Sequence, residues 1–220
     1  MFAAALRAFG DVLSPQFRSI LLMALGLTIL LFGLTIIGTI MLLEALKLMP
    51  WDWAETVIEV VASLGMIVLA LFLMAPVSAF FAGFFLDRVA EFVERAHYPH
   101  DIPGRPLPAV PAILTGIQFG LLVLGLNILL LPSFFFGIGA ITMLIANAYL
   151  LSREYFEMAA MRHLAVADAR KLRKEHSPQV FLAGLLPAVL ALIPIVNLVV
   201  PLYATSYFVH IFKQVRGSSA

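Results

Sequence analysis

The chain has no cysteine, which excludes disulfides, iron–sulfur clusters, thiolate metal sites and a cysteine nucleophile. Charge is also scarce. Asp, Glu, Lys and Arg make up 12% of the 220 residues, against about 25% in ordinary soluble domains. The 14 basic and 13 acidic residues leave a net charge of +1, so the total carries no nucleic-acid footprint. There is no glycine-rich phosphate loop with lysine, no HExxH, no GxSxG and no dinucleotide fingerprint. No constellation of acid, base and nucleophile stands out, so no enzyme and no cofactor are expected. A cleavable signal peptide is not read either, because the first apolar run is too long and lacks a small-residue cleavage site. Apolar residues are abundant instead. They reach 62%, with eighteen Phe, and the mean hydropathy is +1.03. A soluble globule of this size cannot hide that much apolar surface, and disordered chains have the opposite composition. The expected class is an all-α integral membrane protein.

The charged residues fall in clusters separated by four long gaps. Ser19–Leu43 holds twenty-five residues without Asp, Glu, Lys or Arg, and Val60–Leu86 holds twenty-seven. Each fits one helix crossing a ~30 Å hydrocarbon core. Pro106–Ser152 holds forty-seven and Ser177–Phe212 thirty-six. Pro132 divides the third gap and Pro194 the fourth, since proline removes an N–H and disfavours helix at the preceding residue. The turn Leu131–Gly137 is uncharged. Both gaps therefore read as helical hairpins, partly inserted, with tips at or within the membrane. Broken segments at that depth either line a transport path or are packing kinks. The expected organisation is one membrane domain over 1–216. It comprises an interfacial amphipathic helix over 1–13, a first span over 18–43 and a second over 55–97 with a cytoplasmic extension. A hairpin over 109–175, also extended, and a second hairpin over 178–212 follow. Residues 217–220 are expected to be a disordered tail.

If both hairpins return to their starting side, only 44–59 lies on the far side. That loop holds one basic residue, Lys47, and the other thirteen Lys and Arg fall opposite. The positive-inside rule makes their side cytoplasmic, together with both termini. Trp51 and Trp53 in the outer loop suit the headgroup level. In the first helix, Phe2, Leu6, Phe9 and Leu13 form one apolar stripe. It lies on the membrane surface or packs on neighbouring protein.

Several polar positions are candidates for function. Ser14-Pro15 starts a helix, with serine as N-cap and proline at the first position. Its free amides and the Arg18 guanidinium form an oxyanion site or a headgroup anchor. Gln118, Asn127, Asn147 and Asn197 interrupt apolar runs, so each should face protein or a cavity. Arg153, Glu154 and Glu157 sit where the third gap meets the cytoplasm, as a gate or an ion-pair network. Gln118, Asn127, Asn197, Arg153 and Glu154 are the candidate pore-lining set. Gly116 and Gly120 are spaced for close helix packing. His97-Tyr98-Pro99-His100-Asp101 suggests a metal, but Pro99 breaks the spacing and no partner cluster is visible, so no metal is expected.

Several stretches resemble the CysZ sulfate permease family, related to the etoposide-induced-protein membrane family. They are Pro15-Gln16-Phe17-Arg18, Ala75-Pro76, Gly137-Ile138-Gly139, Ile193-Pro194-Ile195-Val196-Asn197-Leu198 with Pro201, and Ala204-Thr205. The resemblance implies two long spans and two partly inserted hairpins. It also implies dimers or larger homo-oligomers in a bacterial inner membrane, and sulfate uptake feeding cysteine synthesis. The family's anion motif, Pro-Gly-Leu/Ile-Arg, often has a second Arg. Here Gln16 replaces the glycine and Ser19 follows the single Arg18. By resemblance the substrate-binding residues are Phe17, Arg18 and Ser19. The alternative is a non-transporting membrane scaffold or partner-binding protein.

Overall fold

A computed structural model describes residues 1–45, 86–197 and 199–218. Every regular element among them is helical. The chain divides into two compact units, one of Met1–Arg18 with Leu86–Ala220, the other Ser19–Phe85. Most of the expected second span, the outer loop beyond residue 45 and Ala75-Pro76 lie outside the described residues.

Helix α1 is Phe2–Val12 and α2 is Pro15–Ala45. The Ser14 hydroxyl accepts the Phe17 N–H at 3.4 Å, and Pro15 takes the first helical position, where a missing N–H costs nothing. A third helix, α3, is described over 86–97. It ends at Tyr98-Pro99, as proline's effect on its predecessor requires. Then come α4 (Ala109–Leu130), a 3-10 turn (Leu131–Phe134), α5 (Gly139–Met161) and α6 (Val166–Glu175). The chain continues with α7 (Ser177–Leu190), α8 (Pro194–Asn197) and α9 (Val200–Ser218). Helix α9 includes Gly217 and Ser218, which the sequence places in the tail, and the last two residues lie outside the described residues. Among the described residues, no helix is long and apolar enough to cross a membrane.

Both expected hairpins break at their prolines. At the first tip, Gly137 takes φ +72°, a left-handed conformation that glycine adopts without steric cost. Ser133 Oγ donates to the Leu130 carbonyl at 2.6 Å and lies 2.8 Å from Thr142 Oγ1, tying the two arms together. Phe135 is 93% exposed and Phe136 78%. At the second tip Leu192 and Ile193 are exposed.

The core of the larger unit forms where α5 meets α7 and α9, with α1 laid on α9. Phe156, Phe208, Ile211, Phe212 and Val180 are buried there. Phe156 meets Phe212 edge-on at 6.2 Å, a favoured aromatic geometry. Gly184 allows the α5–α7 approach. A Cβ at Gly184 would lie 2.2 Å from the Ala148 carbonyl oxygen, whereas one at Gly120 would meet nothing within 4 Å. The small side of α1, Ala4, Ala8 and Asp11, is buried, while Phe2, Leu6, Phe9 and Leu13 stay exposed.

The extension beyond Ser152 is two helices with a break over 162–165. In an unbroken helix the Arg162 carbonyl would accept an amide four residues on. Here it accepts the Arg105 N–H at 2.8 Å. The Arg162 guanidinium grips buried Glu94 through Nε at 3.0 Å and a terminal nitrogen at 3.2 Å, and it also pairs with Asp87. Burial pushes this guanidinium down to about 10. Gly104 donates its N–H to Glu94 at 3.1 Å. One carboxylate thus binds α3, the 103–105 loop and the end of α5.

Candidate anion site

Helix α7 begins at Ser177 with no side-chain cap. Pro178 has no N–H to satisfy, while the amides of Ser177 and Gln179 precede the first in-helix bond, from Val180 to the His176 carbonyl at 3.0 Å. Such an end presents donors and the positive pole of the helix dipole. It opens onto a cleft of about 280 Å³ lined by Tyr149, Ser152, Arg173, Ser177, Pro178, Val180 and Phe181. Helix α5 supplies Tyr149 and Ser152, and α6 supplies Arg173.

Arg173 belongs to an unbalanced cluster. Glu157 Oε1 accepts from Arg173 Nε at 2.7 Å and Arg153 Nε at 3.4 Å, and Arg170 Nε lies 3.5 Å from Oε2. Three guanidinium groups face one carboxylate. Arg170 also donates to Gln118 at 2.7 Å. Each guanidinium carries five N–H donors, so Arg173 keeps donors to spare after binding Glu157. The Ser152 hydroxyl donates to the Tyr149 carbonyl at 2.9 Å, so the feature of the cleft that suits an oxyanion is the excess positive charge beside a helix start.

The residues singled out from sequence are distributed as follows. Gln118 and Arg153 join the Glu157 cluster, so Arg153 with Glu157 forms an ion-pair network. Glu154, Asn147 and Asn197 are exposed, and the Asn127 side chain lies outside the described residues. At the start of α2, Phe17 is buried edge-on against Phe92 at 5.7 Å, and its amide is spent on Ser14. The Arg18 amide donates to the Ser14 carbonyl at 3.1 Å. The Arg18 side chain and Ser19 are exposed, and Arg18 has no carboxylate partner among the described residues.

Sequence reasoning passed over Arg170, Arg173 and Ser177. Their signal was the basic run Arg170-Lys171-x-Arg173-Lys174 just before Ser177-Pro178. It also left His97 without partners. The structure brings His97 to Asp11 of α1 at 2.7 Å and stacks it edge-on with His210 of α9 at 4.8 Å. Burial works against charge on Asp11, but polar contacts from His210, Ser206 and His97 outweigh it and hold the carboxyl below its ordinary value.

A family model described as sulfate transporter CysZ/etoposide-induced protein 2.4 matches residues 4–201. The chain belongs to this family. It is a family of membrane proteins and not of enzymes. No curated protein sequence matches the chain. The match covers the residues of the cleft, the Glu157 cluster, the first proline-broken hairpin and the second as far as residue 201.

Proposed function

We propose that the protein carries sulfate or a related oxyanion across a bacterial cytoplasmic membrane to supply sulfur assimilation and cysteine synthesis. The observation that carries this reading is the meeting of the uncapped α7 start with Arg173 on one cleft, in a chain of this family. Stripping water from a dianion is costly, and only charge-assisted hydrogen bonds offset it. Arg173 supplies such bonds at the start of α7, and Arg18 is a second cation for the cytoplasmic mouth. In this reading the runs 18–43 and 55–97 are the two spans, the apolar tips at Phe135-Phe136 and Leu192-Ile193 stay in the bilayer, and α1 rests its exposed stripe on the cytoplasmic leaflet. Both termini are cytoplasmic, and homo-oligomers complete the path. Flux is passive or ion-coupled. The test is radiolabelled sulfate uptake into proteoliposomes by the native protein, Arg173→Ala and Arg18→Ala. Arg173→Ala should slow flux by at least ~10-fold, the scale of one charged hydrogen bond lost. Native flux equal to that of empty liposomes would overturn the function, and equal flux in Arg173→Ala would remove the cleft.

A second reading, a membrane scaffold without transport, is favoured by the start of α2. Gln16 stands where the family has glycine, and Ser14 already occupies the Phe17 and Arg18 amides. A stoichiometric partner recovered from membranes, with no anion flux, would select it.

A further inference from the structure

Asp11, His97 and His210 come from three different helices and converge behind the α1–α9 contact. His97 Nε2 is 2.7 Å from Asp11 Oδ1, and His210 Nε2 is 3.5 Å from Asp11 Oδ2. The three ligand-type atoms lie within 4.8 Å of one another. In a tetrahedral zinc site with bonds near 2.1 Å, neighbouring ligand atoms sit about 3.4 Å apart. Side-chain shifts on the order of 1 Å would therefore bring all three onto one ion. The geometry points to a divalent-cation site, of zinc class, held by Asp11 Oδ1, His97 Nε2 and His210 Nε2 with a water in the fourth position.

The decisive observation is the state of His210. Its side chain is fully buried, and its Nε2 has no hydrogen-bond partner among the described residues. A buried nitrogen left without a partner is costly. A plain hydrogen-bonded cluster satisfies His97 and Asp11 and leaves that nitrogen only a long 3.5 Å approach to Asp11 Oδ2, whereas a metal bond uses its lone pair. The outer groups fit the same reading. Tyr98 Oη lies 2.8 Å from His210 Nδ1. If Nδ1–H donates to it, the tautomer with a free Nε2 lone pair is fixed. Ser206 Oγ donates to Asp11 Oδ2 at 2.5 Å, which orients the carboxylate and leaves Oδ1 for the ion. Such partners orient the ligands of most biological zinc sites. His97 is 29% exposed along its side chain, so the site has an entry path and room for the water. Two imidazole nitrogens with one carboxylate suit zinc and its first-row neighbours, while magnesium and calcium prefer all-oxygen shells.

A bound ion here would fasten α1 to α3 and α9. This inference stands apart from the transport reading, since none of its residues lines the Arg173 cleft. The test uses the full chain in detergent, without a polyhistidine tag and stripped by chelator. Zn²⁺ is titrated calorimetrically, and Co²⁺ is followed by its visible absorption. The expected result is one equivalent per chain, intense tetrahedral Co²⁺ bands and a rise in the unfolding temperature. His97→Gln should weaken binding by more than ~100-fold and Tyr98→Phe by about 10- to 100-fold. His100→Gln, at an exposed neighbour, should bind as the native chain does. Native protein that shows no saturable Zn²⁺ binding, or only weak octahedral Co²⁺ bands, would overturn the site without recourse to any variant. So would His97→Gln binding at native affinity.

Discussion

Replacing Gly184 by alanine tests the packing that shapes the cleft. The added Cβ would lie 2.2 Å from the Ala148 carbonyl oxygen and 2.6 Å from Ser152 Cβ. An ordinary carbon–oxygen contact is about 3.4 Å, so α5 and α7 must part by about 1.2 Å. The obstacle is backbone and a Cβ, neither of which can swing aside. Overpacking of this kind costs about 3 kcal/mol at the upper end of its range. Alanine's better helix propensity returns about 1 kcal/mol. The net loss is about 2 kcal/mol, or about 4–8 °C in unfolding temperature for a chain of this size. Thermal unfolding in detergent, followed by tyrosine and tryptophan fluorescence, reads it directly. Gly120→Ala is the control. Its Cβ meets nothing within 4 Å, so it should match or slightly exceed the native temperature. Because Ser152 also lines the cleft, the proposed transport role predicts that Gly184→Ala lowers sulfate flux as well. A Gly184→Ala protein as stable as the native one would refute the close α5–α7 approach.

Glu94→Gln should cost about 3 kcal/mol, since it strips a buried guanidinium of one carboxylate; an unfolding temperature within a degree of native would contradict the Glu94–Arg162 reading. Asp101 gives a pH dependence. The Lys213 ammonium, hydrogen-bonded at 2.7 Å, holds its carboxyl below the ordinary value. A depressed carboxyl stabilises the fold above its unfolded value of about 4 and loses that contribution as pH falls through the folded value. Native and Asp101→Asn proteins should therefore differ at pH 7 and converge in acid. The gap should stay under about 1 kcal/mol because the pair is half exposed. A gap that persists at pH 2, or one that exceeds that bound, would refute the pairing.

Local chemistry made much of this chain legible. The breaks at Pro132 and Pro194 follow from a missing N–H and a steric clash, both contained within a few residues. Ser14-Pro15 announced the start of α2 for the same reason. The break at 162–165 was hidden because no glycine or proline causes it. There the Arg162 carbonyl accepts the N–H of Arg105, from a distant loop, in place of an in-helix amide. The Gly116 and Gly120 spacing suggested a packing face, yet Gly184, with no such spacing, marks the tight approach. Spacing along one helix says nothing about which face meets a neighbour. The anion cleft was half legible. Its arginines stand in a basic run, but their surplus over Glu157 exists only once α5 and α6 fold together. Nothing in the uncharged run around His210 marks it, because the residues it meets, Asp11, His97 and Tyr98, are distant in sequence.

The contact between Asp11 and Ser206 joins positions 195 residues apart. During synthesis α1 leaves the ribosome before the helix it rests on is made. At roughly 5–20 residues per second, α1 waits about 10–40 s for α9. Over that interval its carboxylate lacks Ser206 and its small side has no helix to rest on. In the proposed membrane reading, its apolar stripe has the lipid surface to go to. The order of manufacture thus favours adsorption first and docking second. In the proposed membrane reading, the α1–α9 contact closes when a helix already on the bilayer meets a newly made neighbour.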